Sequence, residues 1–221
     1  MHLLLRTFPK CAAILAIAFG IFGFLKVAEG PPSLTTNPLT GPVVRLPSYW
    51  VGRLKVSKSI PILVMAGHAD SQNIYGAGTA GEAVDLHGKL PMDSTMRDEL
   101  FWNIKVRDAL VSLGRERGLN ISSYEPGLRT IVDGDDPRTN WSAGFNHSRN
   151  GGYALELHFD SYGPDGYGSG LIPPITRDLN RLDESLAQNF GRYPRLFRGG
   201  LGAPRREIRI LEIGKLEGKL E

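Results

Sequence analysis

Four residues of this chain have the type and setting from which metal chemistry can be built: His68, Glu82, His158 and Glu212. His68 stands just past the apolar run Ile62–Ala66, and Glu82 comes fourteen residues later, across a loop holding Gly76, Gly78 and Gly81. That separation keeps the two off one helical turn, yet a glycine-bearing loop can fold back and bring an imidazole and a carboxylate to one point. Such a pair can ligate a metal, while a loop histidine beside a surface glutamate would look the same in sequence. His158 closes a second, mostly apolar run, YALELHFD, and Glu212 lies inside a third, EIRILEIG. A carboxylate in a buried strand is costly unless a site there uses it. Two imidazoles and one carboxylate would leave a tetrahedral ion one open position, with the second carboxylate at hand to move a proton.

Strands and helices must deliver these groups. Ile62–Ala66 is too short for a core helix and rich in branched residues, so it is expected as a buried strand ending at Gly67. A helix is expected from about Met96 to Arg117, capped by Asp93 or Ser94, with Leu100, Phe101, Ile104, Ala109, Leu110 and Leu113 on its apolar face. Residues 119–125 suggest a short strand, 125–139 repeated turns, and Asn140–Arg149 a short helix closed by Gly151 and Gly152. In 153–160, alternation puts Tyr153, Leu155 and Leu157 on one face and Ala154, Glu156 and His158 on the other. A glycine-rich loop follows, then a helix from about Thr176 to Phe190 and a final strand, 207–214. Strands alternating with helices predict an α/β fold, with a mostly parallel central sheet flanked by helices. The candidate ligands then fall at the carboxyl ends of the strands, where such sheets bind ligands.

Composition narrows the function classes. The 221 residues carry 26 basic and 23 acidic side chains, but Arg6, Lys10 and Lys26 face only Glu29 in the first thirty, so the remainder is near neutral. No basic stripe argues for nucleic acid. The single cysteine, Cys11, lies in the apolar run Cys11–Leu25, so any metal site further on must use histidine and carboxylates. That run follows basic residues and suits a signal peptide or signal anchor over residues 1–30, with no clear cleavage site. Export to the periplasm or cell envelope is expected, with a membrane attachment if the segment is kept. Residues 31–59 carry Pro31, Pro32, Pro38, Pro42 and Pro47 and suggest an extended linker whose end docks through Tyr49, Trp50 and Val51.

In order and spacing, the candidate residues resemble the zinc-dependent N-acetylmuramoyl-L-alanine amidases of the Amidase 3 family, over about residues 61–214. Gly67-His68 with Glu82, HFDSY at 158–162, and Ile210-Leu211-Glu212-Ile213-Gly214 carry the resemblance. Arg138 is similar to an arginine that the family has upstream of the second histidine. The resemblance implies zinc held by His68, Glu82 and His158, with Glu212 as catalytic base. It implies hydrolysis of the amide between N-acetylmuramic acid and L-alanine in peptidoglycan, as in cell-wall remodelling. Asp70 is expected to accept a hydrogen bond from His68, Glu156 to hold His158 or compete for the metal, and Arg138 to face substrate. His87 and His147 are expected in solvent, away from the site. Ala69-Asp70 stands where the family has Gly-Gly, and residues 60–221 resemble its catalytic domain without the usual final helix. The alternative reading is an inactive, anchored peptidoglycan-binding or scaffold protein that keeps the amidase fold.

Overall fold

Branched and apolar side chains dominate Ile62–Ala66, and burial on both sides makes that segment a central strand, β1. The computed structural model describes residues 51–221, so the expected leader and most of the expected linker lie outside the described residues. After β1 come α1 (Glu82–Asp85), α2 (Asp98–Glu116), β2 (Ile121–Tyr124), α3 (Asn140–Arg149) and β3 (Tyr153–Asp160). Then follow β4 (Gly170–Ile172), α4 (Arg181–Phe190), α5 (Gly202–Arg205) and β5 (Arg209–Lys215). One sheet takes the order β2-β1-β3-β5-β4. The first four of these run parallel, and β4 pairs antiparallel with β5 at one edge. The fold is therefore α/β with a mostly parallel, mixed sheet. β4 has no counterpart among the expected strands.

Helices cover both faces. Ile62, Val64, Tyr153, Leu155, Leu157, Leu211 and Ile213 pack with Trp102, Val106 and Leu110 of α2 and with Leu182, Leu186 and Phe190 of α4. The opposite face, with Met65, Ala154 and Ile210, packs with Tyr193, Ala203 and Ile208, and with Trp141 of α3. The alternation expected for β3 holds, so Glu156 and His158 share their face with Ala154. From β1 the chain passes to β2 on one side and then to β3 on the other. This reversal opens a crevice at the carboxyl ends of β1 and β3, the usual ligand position in such sheets.

Three local expectations shift. Arg97, in extended backbone, occupies the cap position of α2. Asp93 instead closes a turn, accepting from Thr95 N at 2.8 Å and Thr95 Oγ1 at 2.6 Å. The buried face of α2 is also rotated toward Trp102, Val106 and Val111, leaving Phe101 and Ile104 only partly buried. α4 starts at Arg181, because Asn180 and Asp183 form a reciprocal capping box there. The chain joins the body before residue 60: Leu54 N donates to Leu179 O, Arg181 N donates to Leu54 O, and Gly52 N donates to Glu184. A Cβ on Gly52 would lie 2.1 Å from Asn180 O, so this close approach requires glycine. Val51 stays exposed, and Tyr49 and Trp50 lie outside the described residues. No helix among the described residues is long and apolar enough to cross a membrane.

Candidate metal centre

β1 ends at Ala66, and the chain leaves the sheet through Gly67 and His68, whose φ of 62° turns it sharply. The imidazole of His68 lands beside that of His158 on β3, with ring centroids 4.7 Å apart and planes at 89°. Gly67 is what admits this pairing. A Cβ there would sit 2.4–2.6 Å from ring atoms of His158, inside any allowed contact.

The carboxylate beside the two rings belongs to Glu99, in the first turn of α2. Its Oε1 stands 3.4 Å from His68 Nε2 and 3.2 Å from His158 Nδ1. Its Oε2 accepts a 2.8 Å hydrogen bond from Thr79 N, which fixes the side chain. His68, Glu99 and His158 form a group positioned to bind a metal ion, with ligand atoms all within 4.8 Å of one another. Tetrahedral coordination at bond lengths of ~2.0–2.2 Å sets ligand atoms about 3.4 Å apart, so the two Glu99 contacts match that spacing. The donor set, two imidazoles and a carboxylate, is one that binds divalent ions.

Glu99 was missed in sequence because it looks like a surface residue of a helix start. The signal lies in its register: Glu99, Asn103 and Arg107 are spaced by four and all buried, on one side of α2. Asn103 Nδ2 donates to Gly67 O at 3.2 Å, and Arg107 Nη1 donates to Tyr124 O at 3.1 Å. This polar stripe thus ties α2 to the carboxyl ends of β1 and β2 and points Glu99 at the histidines.

Glu82 is not brought to the histidines. It opens α1, where its Oε2 accepts from Gly218 N at 2.9 Å and its Oε1 lies 3.7 Å from His87 Nε2. The loop after His68 does not fold back at Glu82. Glu82 N donates to Leu216 O at 3.1 Å, so α1 is held on the segment after β5. His147 lies in α3, 3.0 Å from Pro61 O, and is likewise apart from the group.

The remaining expected site residues divide. Glu156 is buried on β3, with Oε2 3.5 Å from His158 Nε2 and Oε1 accepting from Asn140 Nδ2 at 3.0 Å. It therefore faces the ring nitrogen turned away from Glu99, the position of a carboxylate that orients a metal-binding histidine. Asp70 does not touch His68. Its Oδ2 accepts a 2.6 Å bond from Asn140 N at the start of α3, and His68 Nδ1 instead faces Ser71 Oγ at 3.2 Å. Arg138 does not face the cavity: it is exposed and held by Asp136 through bonds of 2.9 and 2.6 Å. Its sequence position just before α3 puts it on the outer end of a turn, where a local carboxylate claims it.

Glu212 lies on β5 opposite His158 in register, and its Oε2 is buried without a hydrogen-bond partner. Burial pushes its carboxyl up to about 8, with Asp160 and Glu99 adding to the rise and His158 opposing it. Burial lowers the imidazole of His68, and Glu99 only partly offsets that. Burial also penalises charge on His158, but Glu156 and Glu99 outweigh it and hold that imidazole well above its ordinary value. In Glu99 and Glu156 the same balance runs the other way: burial favours the neutral acid, and the histidines win and lower both. His68, Glu99, Glu156, His158 and Glu212 all line one cavity of about 550 Å³, wide enough for a substrate segment. Comparison with models of protein families, with curated proteins and with solved structures gave no match.

Proposed function

We propose that this chain is a zinc-dependent hydrolase of the amide bond between N-acetylmuramic acid and L-alanine in peptidoglycan. The observation that carries the reading is the His68–Glu99–His158 group facing the unpartnered Glu212 oxygen within one cavity. The order of these residues along the chain, which resembles that of the amidases, supplies the substrate. Relative to that resemblance, Glu99 takes the ligand role first expected of Glu82.

His68, Glu99 and His158 would hold the zinc, which would supply a Lewis acid for the amide carbonyl and a water with its pKa lowered to ~7. Glu99, anchored by Thr79 N–H, and His68 and His158 hold their donor atoms in place before any ion arrives. Glu156 keeps the His158 ring from turning, and Asn140 in turn keeps Glu156 in place. Glu212 Oε2 takes the proton of the attacking water and passes it to the departing amine of L-alanine. A cation held by the group would lower the Glu212 carboxyl from the value to which burial raises it, towards the carboxylate that a base requires. Breaking the bond frees the stem peptide from the glycan.

Zinc content of the full chain and its His158→Ala variant, followed by digestion of purified sacculi, tests the reading. About one zinc per parent chain, none in the variant, and release of peptides with a free alanine amine are expected. Zinc without peptide release would favour the wall-binding alternative. A folded parent that binds no zinc would refute the metal centre.

A further inference from the structure

The cavity that holds the metal group carries five carboxylates in its wall: Asp70, Glu99, Glu156, Asp160 and Glu212. Among the described residues, Arg198 is the one lysine or arginine that lines it. Arg198 takes a left-handed backbone, φ 47°, and is followed by Gly199 and Gly200 at φ 75° and 77°. Non-glycine residues adopt that conformation rarely, and such positions concentrate where a side chain must be aimed. The guanidinium lies 5.0 Å above the ring of Phe197 and 5.8 Å from that of Tyr167, so two aromatic rings hold its plane.

Neutralising Asp160 does not explain this placement. Asp160 already accepts from three backbone N–H groups, Ser161 at 2.9 Å, Tyr167 at 2.6 Å and Gly168 at 3.1 Å. The nearest guanidinium nitrogen stays 3.5 Å away, and its own bond to Asp165 O is long, at 3.4 Å. Most of the five guanidinium donors thus remain available, on a side chain 47% exposed. A planar, aromatic-backed guanidinium with free donors matches a carboxylate through two parallel hydrogen bonds.

We propose that Arg198 is a specificity residue that binds a free carboxylate of the substrate peptide beside the metal centre. This rests on the amide-hydrolase reading above. In a muropeptide, such a group is the α-carboxylate of the D-glutamate joined to L-alanine, whose γ-carboxyl is bonded to the next residue; the corresponding D-isoglutamine carries a neutral amide at the α position. The remaining carboxylates of the wall repel anions, so the cavity accepts one negative group in one place.

The test uses the full, zinc-loaded chain and calorimetric affinities for two dipeptides, L-alanyl-D-glutamate and L-alanyl-D-isoglutamine, each blocked as the γ-methylamide so that they differ only at the α-carboxyl, and neither with a bond to cleave at the muramoyl position. A preference of about tenfold for the carboxylate form is expected, the usual worth of a charge-assisted hydrogen bond. Arg198→Asn, which tolerates the left-handed backbone, is expected to reduce the preference to less than about twofold, and Arg198→Lys to keep part of it. Equal binding by the parent, no binding of either dipeptide, or a preference that survives in a folded Arg198→Asn chain would overturn the proposal. Hydrolysis of the two muramoyl dipeptides is followed separately. A carboxylate preference without hydrolysis sinks the amidase reading alone, and hydrolysis without preference sinks the subsite alone.

Discussion

Replacing Glu99 by glutamine is the sharpest probe of the centre, since it removes one charge and keeps the shape. The amide oxygen can still accept from Thr79 N at the 2.8 Å position, so α2 keeps its start. What is lost is the anionic oxygen 3.4 Å from His68 Nε2 and 3.2 Å from His158 Nδ1. Structural zinc sites with four protein ligands bind with ~10–16 kcal/mol, or about 3 kcal/mol per ligand. Losing one of the three ligands should therefore weaken zinc binding by about two orders of magnitude. Glu82→Gln, in contrast, can keep the bond from Gly218 N and removes only the charge beside His87, so it is expected to leave zinc affinity within about threefold. Competition with a chromophoric chelator at pH 7.5 measures both. An unchanged affinity in a folded Glu99→Gln chain, or an equal loss in Glu82→Gln, would refute the assignment of the carboxylate ligand.

Three further outcomes follow from the same geometry. Gly67→Ala drives a Cβ into the His158 ring and should cost about 1–3 kcal/mol of stability and most of the zinc affinity, read from melts with and without metal. Asp70→Ala removes the acceptor of Asn140 N and should cost about 1 kcal/mol in urea unfolding while sparing zinc affinity; a large affinity loss would restore Asp70 to the site. Zinc uptake should release protons, because the metal binds a neutral imidazole and Glu156 and Glu99 hold the His158 pKa above its ordinary value. In the absence of added zinc, a raised imidazole pKa stabilises the fold at pH below about 6.5 and loses that contribution as pH rises through the folded value. Calorimetry in two buffers of different ionisation enthalpy counts the protons, and a buffer-independent heat near neutral pH would contradict this.

The strands and helices were legible because their signals are local. The branched run of β1, the alternation in β3 and the α3 boundaries Asn140–Arg149 all follow from neighbours a few residues apart. The same alternation put Glu156 and His158 on one face of β3. The start of α4 was less legible: the expected Thr176 and the observed Arg181 differ because Asn180 and Asp183 cap each other. Of the lone carboxylates, Glu212 was visible as a charge inside an apolar strand.

The third ligand was not legible, and the reason is geometric. Glu82 and Glu99 are both acidic residues opening a helix after His68, and position at a helix start alone does not distinguish them. The choice depends on docking. Asn103 and Arg107 bind the carbonyls ending β1 and β2, which aims the first turn of α2 at the histidines, while Leu216 and Gly218 hold α1 elsewhere. In the same way Arg138 was the arginine expected at the site, and only the folded chain ties it to Asp136 on the outside and turns Arg198 into the cavity. By itself the sequence determined the α/β fold, both histidines and Glu212, because strand periodicity fixes which side chains share a face and an end. Which carboxylate completes the group, and which arginine reaches the cavity, tertiary structure alone decided, because contacts between distant segments set where a helix start or a turn comes to rest.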